Sequence, residues 1–395
     1  MERTKKPGHF TKIVQILNVL LIGGILLALG VLHFLCPDRS YSERENRNLA
    51  QFPPVSGKKL MSSEWEREFE TYLNDQFPAR DQSVGVQAMY QYICGKREIH
   101  KVYLAKNNRL IEKYSDSDFD DVQIQENIQY LKDFLNQASK GLGKDHVRMV
   151  FIPSKQTVFS DDLPPFAVGS KKQKEMKDHV RKAVKNSSEI VLDLEEELAK
   201  HTDEYIYFRT DHHWTTEGAM YGYRALMQSL TPDETIVLPE ETKIVCTDFL
   251  GTTYNKIHLF GKADEIEVKG IPSAEKTKVD LPQQEKKQGL YVEEKLKTED
   301  KYSYFMGGNY GLAKIHTPTK NGKKLFMIKD SYSNALLPYL TQNYESIWMT
   351  DLRYANESVF TYLEQMQEEE NEITDLVILY NEEKFMQDSH QYNLS

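Results

Sequence analysis

Cysteine is scarce in this chain: three in 395 residues, at Cys36, Cys94 and Cys246. Thiols so few and so scattered build neither a disulfide scaffold nor a zinc centre. They leave room for one Cys94–Cys246 bridge or, equally, for free thiols. An excess of positive charge is also missing. Lys and Arg number 50 against 60 Asp and Glu, a formal net charge of -10, and the N-terminus is itself basic, so the remainder is more acidic still. Phosphate neutralisation draws on basic patches, so nucleic acid is not an expected partner. No internal repeat is found.

What is present begins with an apolar run. Residues Ile13 to Leu35 carry no charge and are interrupted only by Gln15, Asn18, His33 and a few glycines. At about 1.5 Å per residue such a run reaches roughly 34 Å, enough to cross a bilayer. Arg3, Lys5, Lys6 and Lys12 precede it, so the positive-inside rule predicts a cytoplasmic N-terminus and an exported remainder. A cleaved signal peptide shares this order of regions. The run is longer than a usual signal core, however, and His33-Phe34-Leu35 before Cys36 offers no small-residue cleavage site. The expectation is an uncleaved, single-pass membrane anchor with the rest of the chain extracytoplasmic.

Cys36 to Ala50, dense in charge, reads as an extended arm. From Ser62 to Tyr92 apolar residues recur at helical spacing (Trp65, Phe69, Tyr72, Leu73; then Val84, Val86, Met89, Tyr90, Ile93), with Pro78 separating two helices. Their aromatics are expected to pack on the main domain. Val102-Tyr103-Leu104 and Arg109-Leu110-Ile111, flanking Lys106-Asn107-Asn108, predict a short hairpin. The segments expected are thus a basic tail (1–12), a transmembrane anchor (13–35), an extended linker (36–61), a helical and hairpin region (62–118) and a main domain (119–395).

Beyond residue 120 helix and strand patterns alternate. Helical spacing occurs around 122–138, 172–185, 216–230, 332–341 and 357–368. Strand-like runs occur at Val147-Phe151, Ile190-Leu194, Tyr205-Phe208, Leu325-Ile328, Ser346-Met349 and Leu376-Tyr380. This predicts an α/β domain with a mostly parallel sheet covered by helices on both faces, where function gathers at the carboxyl ends of the strands. Between about 232 and 322 the alternation breaks. Residues 273–290, rich in Lys, Glu and Gln, read as a solvated insertion.

Three predicted strand ends carry reactive residues. Val147-Phe151 runs into Pro153-Ser154-Lys155, Tyr205-Phe208 into Asp211-His212-His213-Trp214, and Leu325-Ile328 into Lys329-Asp330-Ser331. An Asp beside a His orients an imidazole as a general base, and a Ser between strand and helix suits a nucleophile. If Asp211 to Trp214 is extended, Asp211 and His213 share a face and His212 turns away. The catalytic candidates are therefore Asp211, His213 and Ser331. Asp330 is expected to hold the turn or cap the following helix. Two glycine motifs, Asp248 to Tyr254 and Met306 to Gly311, allow close backbone approach, and Asn309 within the second is placed to donate to an oxyanion. Metal binding by Asp211, His212, His213 and Glu217 is the competing use, but the spacing fits no zinc template and adjacent histidines point apart. No metal or other cofactor is expected.

Taken together, Asp211-His212-His213-Trp214, Lys329-Asp330-Ser331-Tyr332-Ser333-Asn334, Gly307-Gly308-Asn309, Ser42-Glu43-Arg44-Glu45-Asn46-Arg47 and Asp351-Leu352-Arg353-Tyr354 resemble the DHHW family of exported proteins from Gram-positive bacteria. That family is more distantly similar to the SGNH-like proteins that O-acetylate alginate and other exopolysaccharides. The resemblance implies an SGNH-hydrolase-like fold and an Asp211–His213–Ser331 triad forming an acyl-enzyme. It implies an O-acyltransferase, of acetyl by analogy, acting on a cell-surface polysaccharide and fed by a membrane-bound O-acyltransferase partner. An esterase with the same residues and a non-catalytic polysaccharide-binding protein are the alternatives. Further candidates for substrate or oxyanion contact are His212, Trp214, Lys155, Arg353 and Tyr332. The chain departs from the Gly-Asp-Ser of many SGNH enzymes by having Lys329 before Asp330, which puts the geometry of that turn in question.

Overall fold

The computed structural model of the protein describes residues 9–42, 47–78, 80–259, 261–282, 287–370 and 372–395. The chain forms two compact units, Met1–Met89 and Tyr90–Ser395. Arg3, Lys5 and Lys6 of the basic tail, and Glu43 to Asn46 of the arm, lie outside the described residues.

In the first unit the helix His9–Leu35 contains a stretch, Lys12–His33, long and apolar enough to be a membrane anchor or a signal sequence. The arm after it is more than an extended linker. Tyr41–Ser42 pairs antiparallel with Arg47–Asn48, and the helix Glu64–Asp75 grips the same stretch. The Tyr72 hydroxyl donates to Asp38 at 3.1 Å, the Asp75 carboxylate accepts from the Ala50 N–H at 2.8 Å, and the Gln76 side chain holds both backbone groups of Arg39 at 2.9 Å. Polar groups of this arm have partners further along the chain. Pro78 falls in the gap before the next helix, Arg80–Ile93.

The second unit is built on an eight-stranded sheet. Its strands are β1 Val147–Ile152, β2 Val191–Asp193, β3 Lys278–Asp280, β4 Gln288–Gly289, β5 Ala313–His316, β6 Lys324–Lys329, β7 Ser346–Thr350 and β8 Asp375–Asn381. They lie in the order β4-β3-β5-β7-β6-β8-β1-β2. From β7 through β2 the pairing is parallel; β3, β4 and β5 add an antiparallel edge. The central strands are buried on both faces and so read as continuous apolar runs. Alternate residues of β6 enter opposite cores, as a period of two requires. Leu325 and Met327 pack on one side with α3 Thr216–Leu230 and α4 Ser333–Leu340; Phe326 and Ile328 pack on the other with α1 Asp121–Leu142, α2 Lys172–Ala183 and α5 Val359–Glu370. Helix α1 starts where the Asp120 side chain accepts from the Val122 N–H, and it stops at Gly143, whose φ of +89° a side chain would resist.

Two expectations are corrected. Tyr205-Phe208 is not a sheet strand. Its backbone bonds go to the loop it encloses, through the Tyr207–Trp214 bridge, Phe208 N–H to His213 O and Thr215 N–H to Ile206 O. Residues 273–290 are not simply a solvated insertion: they supply β3 and β4, with Val279, Leu281 and Leu290 in the core and Lys276, Lys278 and Lys287 exposed. Residues 283–286 of that stretch lie outside the described residues. Cys94 is exposed, Cys246 is buried, and neither is bridged. The expected hairpin forms, with Val102–Leu104 antiparallel to Leu110–Glu112.

Candidate active site

Ser331 opens the turn that follows β6, two residues beyond the strand's end. Asp330 holds that turn. One carboxylate oxygen accepts from the Tyr332 N–H at 2.9 Å, and the other from the Asn381 N–H, at the end of neighbouring β8, at 2.8 Å. Burial pushes the Asp330 carboxyl up, against the pull of these N–H groups and of Arg353. Lys329 pairs with Leu379 as ordinary strand and carries no positive φ, so the turn does not demand glycine there. The Ser331 N–H donates to no group among the described residues.

The Asp211–His213 loop arrives from α3's side of the sheet. Its neck is fixed by Asp264, fully buried, which accepts from the N–H groups of Arg209 at 2.8 Å and Thr210 at 2.7 Å and from the Tyr205 hydroxyl. The loop is bent, not extended. Asp211 and His213 meet because an Asp oxygen accepts the backbone N–H two residues on, at 2.9 Å, a local turn that aspartate favours. His212 is not turned far away: its ring centroid lies 3.9 Å from that of His213.

These two loops bring three side chains into line. Asp211 Oδ1 lies 2.6 Å from His213 Nδ1, and His213 Nε2 lies 2.7 Å from Ser331 Oγ. Asp211 Oδ2 accepts from the backbone N–H of Thr252 at 2.8 Å and from its hydroxyl at 2.9 Å. Burial by itself would raise the Asp211 carboxyl, but the imidazoles of His212 and His213 and the hydrogen bonds from His213 hold it well below its ordinary range. The carboxylate is therefore a fixed negative charge behind the imidazole. Tyr302 stacks on the His213 ring at 3.8 Å and 7°, and its hydroxyl donates to Ser331 O at 3.0 Å. One tyrosine thus sets the plane of the base and the position of the serine. Such a relay suits removal of a proton from Ser331 Oγ and its return.

Of the other candidates, several face inward. Trp214 is fully buried, its indole N–H donating to Tyr332 O at 2.9 Å, and the Tyr332 hydroxyl donates to His212 O at 2.7 Å. Both side chains staple the two loops together. Arg353 forks onto Asp351 at 2.9 and 2.6 Å. Burial pushes His212 down to about 3, with the nearby His213 adding to that, against Asp211 and Glu112. Since the single Thr252 hydroxyl proton goes to Asp211, His212 Nδ1, 2.6 Å from that oxygen, is the donor there. Asp211, His212 and His213 cluster closely enough to hold a cation, but both Asp211 oxygens and His213 Nε2 already have hydrogen-bond partners, and Glu217 pairs with Lys269 at 2.7 Å.

Lys155 also has no free face. Its ammonium donates to the carbonyls of Leu110 at 2.6 Å, Arg209 at 3.0 Å and Asp211 at 2.9 Å. Burial lowers it to about 8, opposed by Asp264 and Asp211. Lys155→Met is expected to lower unfolding stability by about 3 kcal/mol, because it strips a buried donor from three carbonyls. The urea midpoint measures this, and a shift equivalent to less than about 0.5 kcal/mol would remove Lys155 from the scaffold of the loop.

Sequence reasoning missed Thr252, Tyr302 and Asp264. Thr252 sat inside a glycine motif read for its backbone, and nothing local marks a distant tyrosine as a stacking partner. Gly251 has a clear reason: a Cβ there would sit 2.2 Å from the Asp211 Cβ.

The model of the DHHW protein family matches residues 110–350. Solved structures similar to this chain include a DHHW family protein from Eubacterium siraeum, with TM-score 0.58, 21% identity, and coverage of 75% of this chain and 95% of that one. They also include PatB1 from Bacillus cereus, with TM-score 0.56, 18% identity, and coverage of 73% and 97%. PatB1 with a sulfonyl adduct matches similarly, with TM-score 0.55, 18% identity, and coverage of 73% and 98%. At these identities the likeness is one of fold, an SGNH-like mixed α/β sheet. No curated protein matches the chain.

Proposed function

The chain belongs to the DHHW protein family, and from that premise we propose that it is an O-acyltransferase working through an acyl-Ser331 intermediate on a cell-surface polysaccharide. The observation that carries this reading is the unbroken relay from Asp211 through His213 to Ser331, with steps of 2.6 and 2.7 Å.

Ser331 Oγ attacks the donor's acyl carbonyl while its proton passes to His213 Nε2. The carbonyl π pair moves onto oxygen. The Ser331 N–H, which has no acceptor among the described residues, and the Asn309 side chain donate to this oxyanion. Collapse expels the donor's leaving group, which takes the proton from His213. A sugar hydroxyl then attacks the acyl carbon, gives its proton to His213, and Ser331 Oγ regains that proton as it leaves. The Asp211 carboxylate and the face of Tyr302 stabilise the imidazolium in both halves. Acetyl-coenzyme A is cytoplasmic. If the helix His9–Leu35 is an anchor and the second unit lies outside, the acyl group reaches Ser331 from a membrane-bound O-acyltransferase.

The test is intact-mass analysis of the full chain in detergent after incubation with an aryl acetate and, separately, a sulfonyl fluoride. The choice of the second probe follows from PatB1, which is known with a sulfonyl adduct. Mass increments mapping to Ser331, with acetyl passed on to added oligosaccharides faster than to water, support transfer. Folded protein that neither reagent labels would sink the reading. Gly251→Ala provides a second check. Its Cβ would lie 2.4 Å from Asp211 Oδ2, so Asp211 must move, and displacements of about 1 Å at such sites slow reactions roughly 100-fold. Labelling of a folded Gly251→Ala variant within about threefold of wild type would show that Asp211 has room to spare.

A further inference from the structure

The lysine that replaces glycine ahead of Asp330 is buried, with its side-chain nitrogen 2.6 Å from Asn309 Oδ1 and 2.8 Å from Asn334 Oδ1. An ammonium only donates, so both atoms that face it are amide oxygens, and the rotation of each carboxamide is thereby set. Asn334 Nδ2 turns to Asn309 Oδ1 at 3.3 Å and Gly308 O at 3.5 Å. Asn309 Nδ2 is left at the opposite corner of its amide, with no acceptor among the described residues. The loop that carries Asn309 is held in shape by three successive positive φ angles, at Met306 (+71°), Gly307 (+80°) and Gly308 (+143°). Its backbone therefore supplies the placement and Lys329 the orientation. On the other side, α4 begins just after Ser331, and the Asn334 N–H donates to Ser331 O at 3.2 Å. The same lysine thus ties the Asn309 loop to the turn that bears the nucleophile.

We propose that Lys329 is a positioning residue of the oxyanion hole: it locks the Asn309 amide so that its NH2, together with the Ser331 N–H, is presented to the acyl oxygen. The inference rests on the acyl-transfer reading above. It also explains how the chain dispenses with glycine at this position. Burial lowers the lysine to about 8, against Asp351 and Asp330 and with Arg353 adding to the effect. A neutral amine still has two N–H groups for the two asparagines, so the lock survives its deprotonation.

The experiment is the rate of Ser331 acetylation by an aryl acetate in the full chain, wild type against Lys329→Met, Asn309→Ala, the double variant and Asn309→Asp. Loss of one oxyanion donor slows such reactions roughly 100- to 1,000-fold, and Lys329→Met and Asn309→Ala should each do so through kcat with KM within about twofold. Because the lysine acts through the amide, the double variant should fall no more than about threefold below either single one. Asn309→Asp gives Lys329 a carboxylate partner and keeps the melting temperature, yet loses the NH2, so it should be as slow as Asn309→Ala. This variant also decides the matter if Lys329→Met does not fold. Wild type labelled at Ser331, with Lys329→Met or Asn309→Asp equally fast, or with losses that multiply in the double variant, overturns this inference alone. Wild type that is never labelled overturns the acyl-transfer reading and this inference with it.

Discussion

Ser331→Ala is expected to abolish every covalent adduct at the site and to lower acetyl transfer by about 10⁴- to 10⁶-fold, to whatever the remaining donors and bound substrate support. The fold should survive. Ser331 is half-buried, its Oγ engages His213, and the turn is held by groups the substitution leaves in place: Asp330 on the N–H groups of Tyr332 and Asn381, Trp214 on Tyr332 O, and Tyr302 on Ser331 O. Only one side-chain hydrogen bond is lost, worth about 1 kcal/mol. Intact mass after sulfonyl fluoride treatment, with a melting curve alongside, measures both parts. Transfer that persists in the alanine variant would move the chemistry away from Ser331. A variant inactive only because it has unfolded would betray itself in the melting curve.

Much of the sheet was legible because its strands are buried on both faces. Val147-Phe151, Leu325-Ile328 and Leu376-Tyr380 read as apolar runs interrupted only by Arg148, and β6, β8 and β1 prove to be adjacent. Tyr205-Phe208 looked the same. Its burial comes from packing under α3, however, and its hydrogen bonds return to its own loop. Periodicity detects burial and cannot say which partner supplies it. The antiparallel edge was hidden for the opposite reason. These strands are only two to four residues long, and in Lys278-Val279-Asp280 a single residue, Val279, faces the core, so the segment passed for solvent-exposed chain.

The site divides in the same manner. The three side chains that line up, Asp211, His213 and Ser331, were singled out by residue type beside predicted strand ends, although only the end before Ser331 belongs to a sheet strand. The residues that hold them were not, since Thr252, Asp264 and Tyr302 act through tertiary contacts and have ordinary local settings. Lys329 is the instructive case. Against the expected glycine it looked like a departure that endangered the turn, yet its backbone stays in the strand and its amine reaches two asparagines. Its importance depends on where Asn309 and Asn334 fold, and no spacing rule links residues 309, 329 and 334.

Asp211→Asn is expected to slow acylation of Ser331 about 10⁴-fold with Ser331 and His213 intact, because the change inverts one hydrogen bond in a fully donated carboxylate. Four donors converge on Asp211: the His213 N–H and Nδ1 on one oxygen, the Thr252 N–H and hydroxyl on the other. An asparagine has one oxygen and one NH2. With the NH2 toward His213, it opposes the backbone N–H and drives the imidazole to carry its proton on Nε2, where it cannot accept from Ser331. With the NH2 toward Thr252, the imidazole keeps its tautomer, but the Thr252 N–H faces another donor and the hydroxyl must turn round. The hydroxyl can then accept from both the asparagine NH2 and His212 Nδ1, but its own proton loses its acceptor, a buried cost of about 1 to 3 kcal/mol. In neither arrangement does a full negative charge remain to stabilise the imidazolium. The rate of labelling by an aryl acetate measures the effect, and unfolding in urea measures the strain. Loss of less than about tenfold, in a variant that melts like wild type, would mean that Asp211 merely shapes the loop and that His213 works without a carboxylate behind it.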